Sequence, residues 1–138
     1  MTTHAFFGCV LASAALLAAH AVHAKGNGQL VNLINAYRAA PPACGGMRAR
    51  PMAPLAAHPA LSRVKVATGT FLDQAIEHAG YRAAKAEAIY VSGPSDAPAV
   101  MAAIESKYCN ALLNRSFSDI GAVRAGDSWL IVLAQPAP

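Results

Sequence analysis

Residues 105–123 read ESKYCNALLNRSFSDIGAV, and this run decides how the rest of the chain is organised. It begins on a predicted helix whose apolar stripe ends at Tyr108, and the next residue is a cysteine, Cys109. After two leucines and a phenylalanine the run enters Ile-Gly-Ala-Val, which favours a strand. We therefore predict a core helix, a cysteine available for a disulfide, and the first strand of a hairpin.

The second half of that hairpin is the most apolar part of the chain. We predict strands over residues 120–124 and 128–134, with the turn at residues 125–127. The second strand holds Trp-Leu-Ile-Val-Leu without a polar residue, as expected for a strand that is covered on both faces.

Upstream of the hairpin, the sequence predicts four helices and one strand. The first helix, residues 29–40, has Leu30, Leu33, Ile34 and Tyr37 at the spacing of one helix face, and two prolines end it. A polar lead precedes this helix, and a loop rich in Pro, Gly and Ala follows it and holds Cys44. The remaining predictions are helices over residues 59–67, 71–79 and 97–108 and a strand over 86–93, with Thr70 and Asp96 as caps and Gly80 as a left-handed helix end.

The chain has 138 residues, a length that favours one domain. Its net charge of +4 is mildly basic, but the basic residues do not gather on one stripe. A phosphate-binding surface requires such a stripe, so we do not expect nucleic-acid binding.

The first 24 residues have the pattern of a signal peptide. A short apolar run, Phe6 to Ala19, precedes Ala-Val-His-Ala, whose small residues suit cleavage after Ala24. The run is short for a membrane span, and we predict none in the mature chain. A lipoprotein interpretation would use Cys9, but apolar residues follow that cysteine. We expect a secreted or periplasmic protein with a single domain over residues 25–138.

Removal of the signal leaves two cysteines, Cys44 and Cys109. An even count in an exported protein indicates one disulfide. The alternatives are a metal-binding pair and a catalytic thiol. Neither has the expected local spacing, because the chain has no Cys-x-x-Cys and no histidine lies close in sequence to either cysteine.

The run at residues 105–123 resembles a segment of the CAP superfamily (cysteine-rich secretory, antigen-five and pathogenesis-related proteins), especially its bacterial single-domain members. Their segment reads Ser-x-x-His-Cys, an apolar pair, a Phe and then Ile/Val-Gly. The first helix also resembles theirs, where Ile/Leu-Asn-x-x-Arg is common; here the pattern is Ile34, Asn35 and Arg38. The resemblance implies an α+β fold, a three-layer α-β-α sandwich around a small, mainly antiparallel sheet. It also implies that Cys44 pairs with Cys109.

The resemblance also locates a cleft, which differs here from the family pattern. Many members have two histidines and acidic residues there, and some bind a divalent metal. Glu87 matches a family carboxylate, but Tyr108 replaces one histidine. The Phe-x-His segment that carries the other histidine is missing between Ala67 and Phe71. We therefore predict Glu87 and Tyr108 as the cleft residues. Because zinc requires three or four ligands, we predict that the cleft holds no metal, and we predict no catalytic residue and no cofactor.

Two function classes remain open at this point. The first is a non-catalytic binding or interaction module for a small apolar or cell-envelope ligand. The second is a secreted hydrolase of unidentified substrate. His58 and His78 do not match the missing histidine in position, and we interpret both as surface or partly packed side chains.

Overall fold

The structure, a computed structural model, describes the backbone of residues 14–138 and the side chains of residues 26–138. Residues 1–13, which hold the first half of the predicted signal peptide, lie outside this part of the chain. The described helices are α1 (Ala14–Ala39), α2 (Leu72–His78), α3 (Ala97–Ile104) and α4 (Cys109–Leu112), with a 3-10 turn at Leu61–Arg63. The described strands are β1 (Ala56–Ala57), β2 (Ala83–Ser92), β3 (Asp119–Ala125) and β4 (Ser128–Pro136).

The described strands form one sheet in the order β1-β3-β4-β2. β4 pairs antiparallel with both β2 and β3, and only the two-residue β1 runs parallel to its neighbour, β3. The predicted hairpin turn is present, and Gly126 holds its positive φ of 58° there. The sheet is therefore mainly antiparallel, as predicted.

Two separate cores cover the two faces of this sheet. The large core lies under α1, α3 and α4, and the small core lies under the 3-10 turn and α2. Strand β4 contributes to both, because Trp129, Ile131 and Leu133 enter the large core. The side chains between them enter the small core, at Leu130, Val132 and Ala134. The α+β fold and its three-layer α-β-α arrangement are confirmed, and so is a β4 strand covered on both faces.

Gly121 is the point at which the 3-10 turn crosses β3. A Cβ atom built on Gly121 would overlap the backbone of Leu61, which passes directly over the strand. No side chain fits in that space, so the turn packs on the sheet only because a glycine lies beneath it.

The N-terminal boundary predicted for the first helix is wrong. α1 begins at Ala14 and continues through residues 25–29, where the sequence predicts a polar lead. Gly26 lies against the Trp129 ring, because a Cβ placed there would be 3.6 Å from it. Packing over this buried ring supports a helix in a segment whose composition alone does not favour one.

The helix predicted over residues 59–67 is also wrong, because only the 3-10 turn Leu61–Arg63 forms. On its N-terminal side, the His58 amide donates to Ile120 O at 2.9 Å, so the sheet holds that backbone. On its C-terminal side, Val64 is extended and 2% exposed in the small core. Both ends of the segment therefore have non-helical partners.

The next helix, α2, is close to its predicted range but lacks the predicted cap. Its N-cap is Phe71 rather than Thr70, and no side chain caps it. Gly80 ends the helix with a φ of 94°, as predicted.

The helix predicted over residues 97–108 is shorter in the structure, and the separate helix α4 begins after its predicted end. α3 starts as expected, with the Asp96 carboxylate accepting from the Ala99 amide at 2.9 Å, but it ends at Ile104. Tyr37 Oη donates to the Glu105 carbonyl at 3.1 Å, which satisfies one of the carbonyls left free beyond the helix end. The break leaves Tyr108 as the N-cap of α4 rather than as the last residue of a longer helix.

Candidate functional site

Glu87 lies on β2, at the edge of the described sheet. Its register partner on β4 is Leu133, whose side chain enters the large core. Side chains of register partners point to the same face, so Glu87 faces the α1, α3 and α4 side. Glu87 precedes Ile89 and Val91 along that face but is exposed, whereas they are buried.

Tyr108 lies on the same side of the sheet, between α3 and α4. Its ring is partly buried against the large core, and the Lys107 ammonium lies 5.3 Å from the ring centroid. A cation over an aromatic face is favourable, so Lys107 helps to hold the ring in place. Within residues 26–138 no hydrogen bond joins Tyr108 to Glu87. The structure therefore gives these two residues a common face but no hydrogen bond between them.

The predicted disulfide between Cys44 and Cys109 is confirmed. The two Cα atoms are 5.8 Å apart, and 65 positions separate the residues in sequence. On the loop side, Cys44 and Met47 exchange backbone hydrogen bonds across a tight turn. Since Cys109 follows Tyr108 directly, the bond fixes the loop after α1 beside that tyrosine.

Asn35 and Arg38, the polar residues of the motif in the first helix, hold the same loop. The Asn35 side chain donates to Leu55 O at 3.0 Å and accepts from the Leu55 amide at 2.8 Å. Arg38 donates to carbonyl oxygens in the loop and at the end of α4. The motif therefore positions the segment that leads into β1.

The two histidines beyond the predicted signal lie on the small-core side, away from Glu87. His58 packs edge-on against the Tyr81 ring at 4.9 Å, and its Nδ1 accepts from the Ala60 amide at 3.2 Å. Tyr81 in turn donates its hydroxyl to Asp119 at 2.7 Å; burial and this bond raise the pKa of Tyr81. His78 is exposed on α2. In the described part of the chain, no three His, Cys, Asp or Glu side chains are grouped for a metal ion.

The sequence interpretation missed Lys85, two residues before Glu87 on the same face. β2 begins at Ala83 rather than at residue 86, so Lys85 belongs to the strand. Its ammonium lies 5.6 Å from the centroid of the Phe117 ring. The alternation that places Ile89 and Glu87 on one face extends to Lys85, and that signal was present in the sequence.

Comparison with solved structures identifies the fold. An extracellular protein containing an SCP domain from Bacillus anthracis str. Ames superposes with a TM-score of 0.70 at 14% identity, covering 83% of this chain and 41% of that one. A cysteine-rich secretory protein from Staphylococcus aureus gives 0.62 at 14% identity, covering 82% and 39%. An outer surface protein from Borrelia burgdorferi gives 0.55 at 15% identity, covering 80% and 89%.

This chain therefore has an SCP-like fold. It spans about two-fifths of the length of the first two proteins. No protein-family model and no curated protein matches the sequence.

The disulfide generates a prediction for stability. Replacing both Cys44 and Cys109 by Ser should lower the free energy of unfolding by about 4 kcal/mol, because the bond restricts a long loop in the unfolded chain. Urea titration of the variant and the oxidised protein measures this difference. Reduced wild-type protein is the control and should lose the same amount. Equal stability of oxidised, reduced and double-variant protein would contradict a bonded pair, as would two alkylated thiols in the non-reduced protein.

Proposed function

We propose that the chain from Lys25 onward is an exported SCP-like domain that acts as a binding or interaction module and catalyses no reaction at its cleft. The arrangement of Glu87 and Tyr108 carries this proposal: they share one face of the sheet, with the Cys44–Cys109 bond beside Tyr108. A small apolar or cell-envelope molecule is the ligand we propose.

Three observations support export. The structural neighbours are described as extracellular, secretory and outer-surface proteins. The Cys44–Cys109 disulfide suits an oxidising compartment. The first 24 residues have the composition of a cleavable signal. In the part of the chain that the structure describes, no helix is long and apolar enough to cross a membrane.

The chemistry of the two cleft residues supports a non-catalytic role. They supply one carboxylate and one phenol, whereas a zinc site requires three or four ligands. Both cysteines beyond the signal are held in the disulfide and supply no thiolate. The two histidines lie with the small core, on the other side of the sheet. An acid/base pair also requires a second titrating group within reach of the first.

Export is tested by sequencing the N-terminus of protein recovered from the periplasm or the medium. We expect the sequence to begin at Lys25, because cleavage after Ala24 follows the small residues of the signal. A protein that keeps Met1 and stays with the membrane would contradict the proposal.

The cleft is tested by calorimetric titration of zinc into the purified protein at neutral pH. Wild-type protein should give no saturable heat. Tyr108→His should give at most weak binding, because one imidazole beside Glu87 still leaves too few ligands. The matched control is Tyr90→His, which adds an imidazole to the strand of Glu87 on the opposite face, since Tyr90 pairs with Leu130 of the small core.

Stoichiometric, micromolar zinc binding by the wild-type protein would overturn the non-catalytic proposal. Hydrolytic turnover that a chelator abolishes would instead support the alternative, a secreted hydrolase.

A further inference from the structure

Arg38 is the buried charged residue of the described part of the chain. It lies in the last turn of α1 and is 3% exposed. Removing a guanidinium from water costs several kcal/mol unless hydrogen bonds and an opposite charge compensate it. The partners of Arg38 therefore decide whether this charge is balanced within the fold.

The hydrogen bonds of Arg38 go to neutral carbonyl oxygens. Nε donates to Ala53 O at 3.2 Å, and Nη1 donates to Leu112 O at 2.8 Å and to Asn114 O at 3.3 Å. These three bonds use the three N–H groups on Nε and Nη1, while a guanidinium has five. Within residues 26–138, no hydrogen bond involves Nη2. Among residues 26–138, the side-chain atom that is fully buried and lacks a hydrogen-bond partner is Asn27 Oδ1. Arg38 Nη2 also lacks a partner but is not fully buried, so a ligand can reach it.

A cavity of about 210 Å³ lies beside Arg38. One part of its wall is cationic and polar, with Arg38, the exposed Arg115 and Ser118. The other part is apolar and includes Met52, Pro54 and Phe117. Two guanidinium groups next to an apolar wall suit a ligand with an anionic head and an apolar body.

The charges around this cavity are positive. Arg115 carries a like charge, and burial together with that charge lowers the pKa of Arg38. Lys85 adds a third cation, over the Phe117 ring that forms part of the wall. Asp119 is close in sequence but does not line the cavity, and its carboxylate accepts from Tyr81 of the small core. Glu87 shares the face of Lys85 but does not line the cavity either.

We propose that this cavity binds a small organic carboxylate, whose oxygens accept from Arg38 Nη2 and from the Arg115 guanidinium. A carboxylate matches the planar donor geometry of arginine and can accept two parallel N–H bonds. The apolar wall favours an organic acid over phosphate, which has no apolar part. The size of the cavity restricts the ligand to a small acid, since pockets for drug-sized molecules start at about 300 Å³.

This inference adds a ligand class to the binding role proposed above, but it rests on the Arg38 cavity and not on Glu87 and Tyr108. The two proposals can be refuted separately. Zinc binding or hydrolysis would refute the non-catalytic cleft but would not affect the proposal that Arg38 binds a carboxylate. Tyr108→His should accordingly leave carboxylate binding unchanged.

The test is calorimetric titration of sodium propionate and sodium benzoate into the purified protein, with sodium chloride keeping the ionic strength constant. At least one carboxylate should give saturable heat with a dissociation constant of about a millimolar or lower, as small ligands allow. Arg115→Gln should weaken binding about tenfold or more, because a hydrogen bond to a charged group is lost. Arg115 is exposed, so this variant is expected to fold.

The matched control is Arg63→Gln, which removes the same charge from the opposite side of the sheet and should leave the dissociation constant unchanged. Three outcomes would overturn the proposal. The first is no saturable heat with either carboxylate. The second is equal weakening by Arg115→Gln and Arg63→Gln, which indicates only a general charge effect. The third comes from titrating sodium phosphate in the same way: phosphate binding as tightly as the carboxylates contradicts the assigned ligand class.

Discussion

The burial of β4 on both faces is the constraint on which the rest of the structure depends. Successive side chains of this strand enter different cores, so neither face can be left to solvent. A shift of one residue in its pairing would exchange Trp129 with Leu130 and misplace every side chain along it. The helices α1 and α3 cover one face and the 3-10 turn with α2 covers the other, because the strand requires both layers.

A second group of interactions holds the long segment between α1 and β1. That segment has little regular structure, and contacts to other elements hold it in place. Asn35 pairs with the backbone of Leu55, Arg38 bonds to Ala53 O, and Cys44 is bonded to Cys109. The same contacts join α1 to α4, because Arg38 also donates to Leu112 O. Tyr108, which we propose as a cleft residue, and the Arg38 cavity thus both lie beside this one anchored loop.

The features that the sequence predicted correctly are those set by local patterns. The apolar run of β4, the Asp96 cap and the turn at Gly126 each follow from residues close together in the chain. The disulfide followed from a cysteine count and a family resemblance, with no need of geometry. Glu87 and Tyr108 were named from that resemblance, and the structure adds that they share a face.

The features that the sequence could not provide depend on contacts between distant residues. The segment at residues 59–67 has a helical composition, but β3 binds His58 just before it and the small core buries Val64 in an extended form. The Glu105 carbonyl beyond the end of α3 accepts from Tyr37, which lies 68 positions away in the sequence. The sequence also cannot show that Arg38 Nη2 has no hydrogen-bond partner within residues 26–138, because the three carbonyls that accept from Nε and Nη1 come from distant parts of the chain.

Because β4 contributes to both cores, we expect it to join them into one cooperative unit, and native-state hydrogen exchange at its amides tests this most directly. The amides of Leu130, Ile131, Val132 and Leu133 should exchange only through global unfolding. Their free energies of exchange should then match one another and the free energy of unfolding from urea titration. Because alternate amides of β4 bond to β2 and to β3, separate opening of either side would free one alternate set. If one such set of amides exchanged with a smaller free energy that did not depend on urea concentration, the two cores would not form one cooperative unit.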